Sequence, residues 1–140
     1  MQEHILIVDD RDDLLLILRR ALEHQGYRVS QASGGEEALQ TLAAEVPDLI
    51  VSDIAMPDLD GFELVQRVRG DHRLAGVPVI FLTAAASHET EARARACGVE
   101  GFMAKPCTSR RLLALVRGTL DARPETSSRA AGGRREWHPG

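Results

Sequence analysis

The chain has 140 residues, of which 44% are hydrophobic and 27% charged, and its formal net charge is -4. These values predict one globular domain with a full core, and they give no general attraction to nucleic acid or to anionic membranes. The longest apolar run, residues 14–18, is too short to span a bilayer, and the acidic start of the chain lacks the basic region of a signal peptide. We therefore expect a cytoplasmic protein that binds neither nucleic acid nor membrane.

Five strands alternate with five helices in the predicted order of elements. Apolar runs predict strands at residues 5–8, 27–32, 49–52, 77–82 and 101–104, and a segment with helical periodicity follows each of them. Because right-handed crossovers place helices on both sides of a parallel sheet, this alternation predicts an α/β fold with a doubly wound, five-stranded parallel sheet flanked by five helices.

Three predicted helices carry a recognisable start signal. Ser33 with Glu36 fits a capping box for the second helix, while Ser87 and Thr108 fit N-caps of the fourth and fifth helices. The apolar positions after Ser87 are nearly all alanine, which offers little surface to pack against the sheet. We therefore expect the fourth helix to be the least firmly held of the five.

From residue 122 onward the periodic patterns stop, and Pro, Gly, Ser and Arg dominate. The predicted organisation is therefore a domain over residues 1–121 and a flexible tail or linker over residues 122–140. Trp137 could be a docking residue in this tail, but a terminal aromatic without a fixed contact is the favoured interpretation. With no room after Asp121 for a further domain, we expect a stand-alone domain or the front part of a longer protein.

Polar side chains stand directly after four of the predicted strands. Asp9 and Asp10 follow the first strand, Asp53 the third, Thr83 the fourth and Lys105 the fifth. Because parallel strands end at one edge of the sheet, these side chains are expected to converge on one crevice. Lys105 is also the only lysine of a chain that otherwise uses arginine, which indicates either a requirement for a compact ammonium at this position or a coding bias toward arginine with one lysine left.

This set of groups suits phosphoryl transfer. Three crowded carboxylates resist ionisation unless a cation offsets them, and their hard oxygen atoms suit Mg²⁺. A carboxylate nucleophile, a metal ion, a lysine and a hydroxyl are the groups that move a phosphoryl group. We interpret Asp53 as the nucleophile, with Lys105 and Thr83 contacting the phosphoryl oxygens. Each residue alone has a structural explanation, such as a turn former for Asp53, so the interpretation depends on the joint pattern.

The motifs ILIVDD, SDIAMPDLDG, FLTA and FMAKP together resemble the receiver domain of bacterial two-component response regulators, over residues 3–121. The resemblance implies a flavodoxin-like fold with strand order 2-1-3-4-5. It also implies that Asp53 accepts a phosphoryl group from a sensor histidine kinase or a histidine phosphotransfer protein. Such a protein is a switch that changes a partner-binding surface, and it catalyses only its own phosphorylation and dephosphorylation.

The same resemblance implies a set of metal ligands. Mg²⁺ would be held by Asp10, by Asp53 and by the backbone carbonyl of Ala55, and Asp9 would act through a water molecule. These assignments come from the matching positions of the motifs and not from spacing alone.

The resemblance also implies a switch. Thr83 and Phe102 would report the phosphorylated state, and Phe102 occupies a position where many relatives have tyrosine. Because phenylalanine has no hydroxyl, its coupling would depend on packing alone. The Lys105–Pro106 bond is expected to be cis. A homodimer through the last two helices and the fifth strand is a further expectation.

Two other functions remain open. A phosphohydrolase with an aspartyl nucleophile would carry a second acid two residues after it, where this chain has Ala55. A degenerate receiver that acts only as a dimerisation module is the other alternative, although all of the expected acidic, hydroxyl and amino groups are present. A nucleotide-binding function is weaker still, because no glycine-rich phosphate motif follows a strand.

Overall fold

The structure, a computed structural model, describes residues 2–123 and 137–139. Within these ranges strands and helices alternate until the last helix. The strands are β1 (His4–Val8), β2 (Arg28–Ala32), β3 (Leu49–Ser52), β4 (Val79–Thr83), β5 (Gly101–Ala104) and β6 (His138–Pro139). The helices are α1 (Asp12–His24), α2 (Gly35–Ala44), α3 (Gly61–Gly70), α4 (His88–Ala96) and α5 (Ser109–Asp121). None of these helices is long and apolar enough to cross a bilayer.

All of the strands join one parallel sheet in the order β2-β1-β3-β4-β5-β6. The first five strands follow the predicted order 2-1-3-4-5, so the prediction of a doubly wound α/β fold is confirmed. The sequence did not predict β6, which adds a short strand beside β5.

The core consists of two layers, one on each face of the sheet. Alternate residues of each strand point to opposite faces, so in β1 Leu6 packs in one layer while Ile5 and Ile7 pack in the other. The first layer also contains side chains of α2, α3 and α4, and the second those of α1 and α5. Burial on both faces explains why the sequences of the central strands are continuous apolar runs without alternating polar residues.

Two predicted strands begin later in the structure than the sequence suggested. Tyr27 precedes β2 because it lies in the turn that ends α1. Gly26 has a φ of 93° there, and the N–H of Tyr27 donates to the carbonyl of Leu22. Val77 precedes β4, and its N–H donates to the carbonyl of Leu74 in a turn. Both Tyr27 and Val77 are buried, so their apolar character reflects the core and not the sheet.

The capping box predicted at Ser33 and Glu36 was wrong. The residue before α2 is Gly34, and no side chain of its own caps the helix. The N–H groups of Gly35 and Glu36 donate instead to the carboxylate of Asp58, at 3.2 and 3.0 Å. These backbone hydrogen bonds hold the pKa of Asp58 below its ordinary value. An acceptor from a distant loop has therefore replaced the local one.

The other two predicted caps are confirmed. Ser87 Oγ accepts from the N–H of Thr90 at 3.0 Å, and Thr108 Oγ1 accepts from the N–H of Arg111 at 3.2 Å. Ala94 is the only buried residue of α4. The weak attachment of α4 stays a prediction, and its small apolar contact is consistent with it.

The tail predicted for residues 122–140 lies mostly outside the described residues, at 124–136 and 140. Trp137 lies inside them, and its ring centroid is 6.5 Å from that of Phe102. The interpretation of Trp137 as an aromatic without a fixed contact was therefore wrong, because the apolar surface at β5 offers it a packing site.

Arg69 fastens the end of α3 to the start of the neighbouring strands. Its guanidinium donates to the carbonyl groups of Val77 at 2.6 Å and Gly98 at 3.0 Å, and to Glu100 Oε1 at 2.9 Å. Glu100 is 7% exposed, and the same oxygen accepts from the N–H of Val79 at 2.8 Å. A partly buried ion pair thus holds α3, β4 and β5 together at the edge where the strands begin.

Replacing Arg69 tests this fastening. Arg69→Met removes the guanidinium beside a buried carboxylate, and we expect the free energy of unfolding to fall by about 3–5 kcal/mol in urea denaturation. Arg67→Met, at an exposed position of the same helix, is the matched control and should change it by no more than about 0.5 kcal/mol. The double variant with Glu100→Gln should lose less than the sum of the single losses. Equal losses for the two arginine variants would contradict this role.

Candidate functional site

Backbone hydrogen bonds continue past the strand ends and fix the polar residues that follow. The N–H of Asp53 donates to the carbonyl of Val8 at 2.9 Å, so the residue after β3 stays bound to β1. The N–H of Lys105 donates to the carbonyl of Thr83 at 2.9 Å, so the residue after β5 stays bound to β4. The side chains therefore start from well-defined backbone positions at one edge of the sheet.

The three predicted carboxylates meet at this edge. Asp9, Asp10 and Asp53 each offer an oxygen atom, and these atoms lie within 4.8 Å of one another. Asp9 is 2% exposed and Asp53 8%, whereas Asp10 lies at the surface. Close carboxylates with little access to water repel one another strongly, so the cluster requires positive charge.

Lys105 supplies part of that charge. Its Nζ donates to Asp9 Oδ2 at 2.6 Å and to Asp53 Oδ2 at 3.2 Å, joining the residues after β1 and β3. Three carboxylates and one ammonium still leave a formal excess of two negative charges if all are ionised. The site therefore favours a second cation, and its hard oxygen donors suit Mg²⁺.

Further hydrogen bonds orient the two buried carboxylates. Asp53 Oδ1 accepts from the N–H of Ile54 at 2.7 Å, and Asp9 Oδ1 accepts from the N–H of Arg11 at 2.9 Å. Both oxygens of Asp9 are therefore engaged, one by Lys105 and one by the backbone. Across residues 2–123 and 137–139, no hydrogen bond reaches the carboxylate of Asp10, which is exposed.

The remaining predicted residues lie around this cluster. Thr83 is fully buried at the end of β4, and its Oγ1 accepts from the N–H of Ala85 at 3.1 Å, which leaves the hydroxyl proton free to be donated. Ala55 is exposed in the loop after Asp53. The Lys105–Pro106 peptide bond is cis. Phe102 lies farther back on β5, as the register partner of Phe81, and belongs to the core layer under α2, α3 and α4.

Gly61 is a structural requirement of the site. Its N–H donates to the carbonyl of Ile54 at 2.8 Å, which draws the first turn of α3 onto the backbone behind Asp53. A Cβ at this position would lie 2.6 Å from the carbonyl oxygen of Asp53 and 3.0 Å from the ring of Phe81. The absence of a side chain is what allows the loop to close this tightly.

The substitution Gly61→Ala tests this close approach. We expect it to lower the free energy of unfolding by about 1–3 kcal/mol, because the added methyl group overlaps fixed backbone. Gly118→Ala in α5 is the control, since no other atom lies within 4 Å of the position that its Cβ would occupy. That change should stabilise the protein by about 0.5–1 kcal/mol. Urea denaturation of both variants measures the difference, and a Gly61→Ala variant as stable as wild type would refute the steric argument.

Comparison with known proteins identifies the arrangement. The family model described as response regulator receiver domain matches residues 5–117. The chain belongs to this family. This receiver domain is 43% identical over 115 residues to an uncharacterized 14.6 kDa protein of Leptolyngbya boryana. The match covers 82% of this chain and 88% of that protein.

A second relative is the alkaline phosphatase synthesis transcriptional regulatory protein PhoP of Bacillus subtilis, which is 37% identical. The match covers 86% of this receiver domain but 49% of PhoP, so the chain spans about half the length of that relative. Among solved structures, the signal receiver domain of a signal transduction histidine kinase from Syntrophus aciditrophicus superposes with a TM-score of 0.80 at 35% identity. That match covers 89% of this chain and 94% of the other.

Proposed function

We propose that this receiver domain is a phosphoacceptor switch in which Asp53 takes a phosphoryl group from a phosphohistidine of a sensor histidine kinase or a phosphotransfer protein. A carboxylate oxygen of Asp53 attacks phosphorus, the phosphorus–nitrogen bond breaks, and the imidazole nitrogen keeps the electron pair. The observation that carries the proposal is the position of the Asp53 carboxylate, 3.2 Å from the ammonium of Lys105 and within the acidic cluster.

Lys105 and Thr83 are proposed to contact the phosphoryl oxygens. The ammonium of Lys105 has three N–H donors, of which Asp9 and Asp53 use two. The hydroxyl of Thr83 accepts one hydrogen bond and keeps its proton for another acceptor. Both groups would stabilise the negative charge that spreads over the phosphoryl oxygens during transfer.

The chain's own oxygen atoms would hold Mg²⁺. Asp10, Asp53 and the backbone carbonyl of Ala55 are the proposed direct ligands, and Asp9 would act through a water, as the family resemblance implies. When bound, Mg²⁺ offsets the repulsion between the carboxylates and neutralises charge on the phosphoryl group. Lys105 and the backbone amide of Ile54 keep the Asp53 carboxylate oriented throughout.

Thr83 and Phe102 are proposed as the switch. The register pairs Thr83 with Ala104 and Phe81 with Phe102, so the side chains of Thr83 and Phe102 project to the same face of the sheet. A movement of Thr83 toward a phosphoryl group would change the space in front of Phe102. Because Phe102 carries no hydroxyl, this change would be transmitted by packing alone.

As a receiver domain the protein implies a histidine kinase as phosphodonor and a downstream effector. We further propose that it acts in the cytoplasm and that α4, β5 and α5 form the face of a homodimer. The protein would act on no substrate other than its own Asp53.

Incubation with acetyl phosphate and Mg²⁺ tests the phosphoacceptor role. We expect intact mass spectrometry to show one added phosphoryl group per chain and peptide mapping to place it on Asp53. Asp53→Asn should remove the label, and Asp12→Asn, at an exposed acid in the first turn of α1, should retain it. Sustained release of phosphate from excess donor at many turnovers would favour the phosphohydrolase alternative. A wild-type protein that never takes up label would favour the degenerate receiver.

Metal binding gives a second test, by thermal unfolding in MgCl₂ against NaCl of equal ionic strength. We expect Mg²⁺ to raise the Tm of wild type by mass action. Asp10→Asn should weaken the apparent affinity by roughly tenfold or more, a loss that even indirect ligand contacts can cause. Lys105→Met should strengthen Mg²⁺ binding, because it removes an ammonium that competes for the same carboxylates. Weaker binding by Lys105→Met would show that the ammonium does not oppose the metal.

A further inference from the structure

The two lateral edges of the sheet, at β2 and at β5, differ in polarity. At β2 the strand is rich in polar side chains, and Arg19 of α1 donates to the carbonyl of Val29 at 3.3 Å and to the side chain of Gln31 at 3.0 Å. At the other side, β5 has the sequence Gly-Phe-Met-Ala and carries no polar side chain. An uncovered apolar strand of this kind pairs readily with another chain, so it requires a cover.

Residues 137–139 provide that cover in the structure. β6 pairs with β5 in parallel, with His138 opposite Gly101 and Pro139 opposite Phe102. The preceding residue, Trp137, packs against the ring of Phe102 with centroids 6.5 Å apart. The guanidinium carbon of Arg95 in α4 lies 5.8 Å from the centroid of the Trp137 ring. The segment therefore contacts both the backbone edge of β5 and the surface of α4.

We propose that residues 137–139, here named the edge cap, compete with a second copy of this chain for the β5 edge. While the edge cap is seated, the β5 edge at Gly101 and Phe102 is already paired, so a second copy cannot pair with it there. Pro139 has no N–H, so the edge cap does not offer a complete new edge for further strands. The proposal rests on the proposed function only for the choice of the α4, β5 and α5 face as the dimer face, and it does not require phosphorylation of Asp53.

The edge cap is a short segment, which makes it displaceable. Its paired strand has two residues, and Trp137 adds an aromatic contact with Phe102 and a cation–π contact with Arg95. An exposed cation–π contact contributes about 0.5–1 kcal/mol, so its loss should lower the ratio of seated to released edge cap by roughly two- to fivefold. A second copy that buries a larger surface could displace it.

Trp137 is the only tryptophan of the chain, so its fluorescence reports on the edge cap directly. We expect acrylamide to quench wild type less than it quenches N-acetyltryptophanamide. Arg95→Gln should increase the quenching, consistent with the two- to fivefold loss of seated edge cap. Arg93→Gln is the matched control on the same helix, because Arg93 stacks on Phe62 at 3.8 Å and should leave Trp137 unchanged. Quenching of wild type equal to that of the free analogue would overturn the proposal.

Sedimentation of the full-length protein tests the competition itself. We expect wild type to remain monomeric over a concentration range in which Trp137→Ala forms a dimer, with Trp137→Phe close to wild type. Hydrogen exchange at residues 101–104 should slow as the Trp137→Ala dimer forms. A Trp137→Ala variant that stays monomeric would refute the competition. A wild-type dimer that Trp137→Ala dissolves would also refute it, because the segment would then join two copies.

Labelling of Asp53 in the Trp137→Ala variant separates this inference from the phosphoacceptor proposal. We expect the same stoichiometry as in wild type, since the edge cap does not touch the carboxylate cluster. Normal labelling with failed competition would reject the edge cap alone, and failed labelling with intact competition would reject the phosphoacceptor role alone.

Discussion

The contact on which the site depends is the ammonium of Lys105 between Asp9 and Asp53. It joins residues that follow three different strands, and it offsets repulsion that burial of two carboxylates would otherwise make severe. A compact ammonium can approach two carboxylates from separate strands, whereas a planar guanidinium is suited to one carboxylate through two parallel hydrogen bonds. This difference favours lysine at a buried position between two strands. The single ammonium of Lys105 also leaves the three carboxylates with a formal negative excess, so the cluster favours binding of a further cation.

The sequence predicted this convergence because two simple rules act together. Strands buried on both faces appear as unbroken apolar runs, and parallel strands end at one edge. The residue after each run could therefore be placed without any knowledge of the loops. Asp9, Asp10, Asp53 and Lys105 meet in the structure as those rules require.

The contacts that the sequence did not predict join residues that are far apart in the chain. The cap of α2 comes from Asp58, 22 residues after Glu36, and the ion pair of Arg69 with Glu100 spans 31 residues. Neither pair has a local spacing that periodicity or capping rules detect. The starts of β2 and β4 were predicted too early, at Tyr27 and Val77, for a related reason, since a buried apolar residue in a turn looks like a strand residue. Trp137 was misjudged because a contact across the sheet edge leaves no pattern near it.

The strand β5 connects these features. One end of it positions Lys105 in the carboxylate cluster, its middle carries Phe102 in the core, and its outer edge is the surface that β6 covers. Only β4 pairs with it along its whole length, so it has less backbone support than the central strands. The face beyond it is formed by α4, which buries little apolar surface. One short strand therefore joins Lys105 of the carboxylate cluster to the outer face that α4 and β5 form.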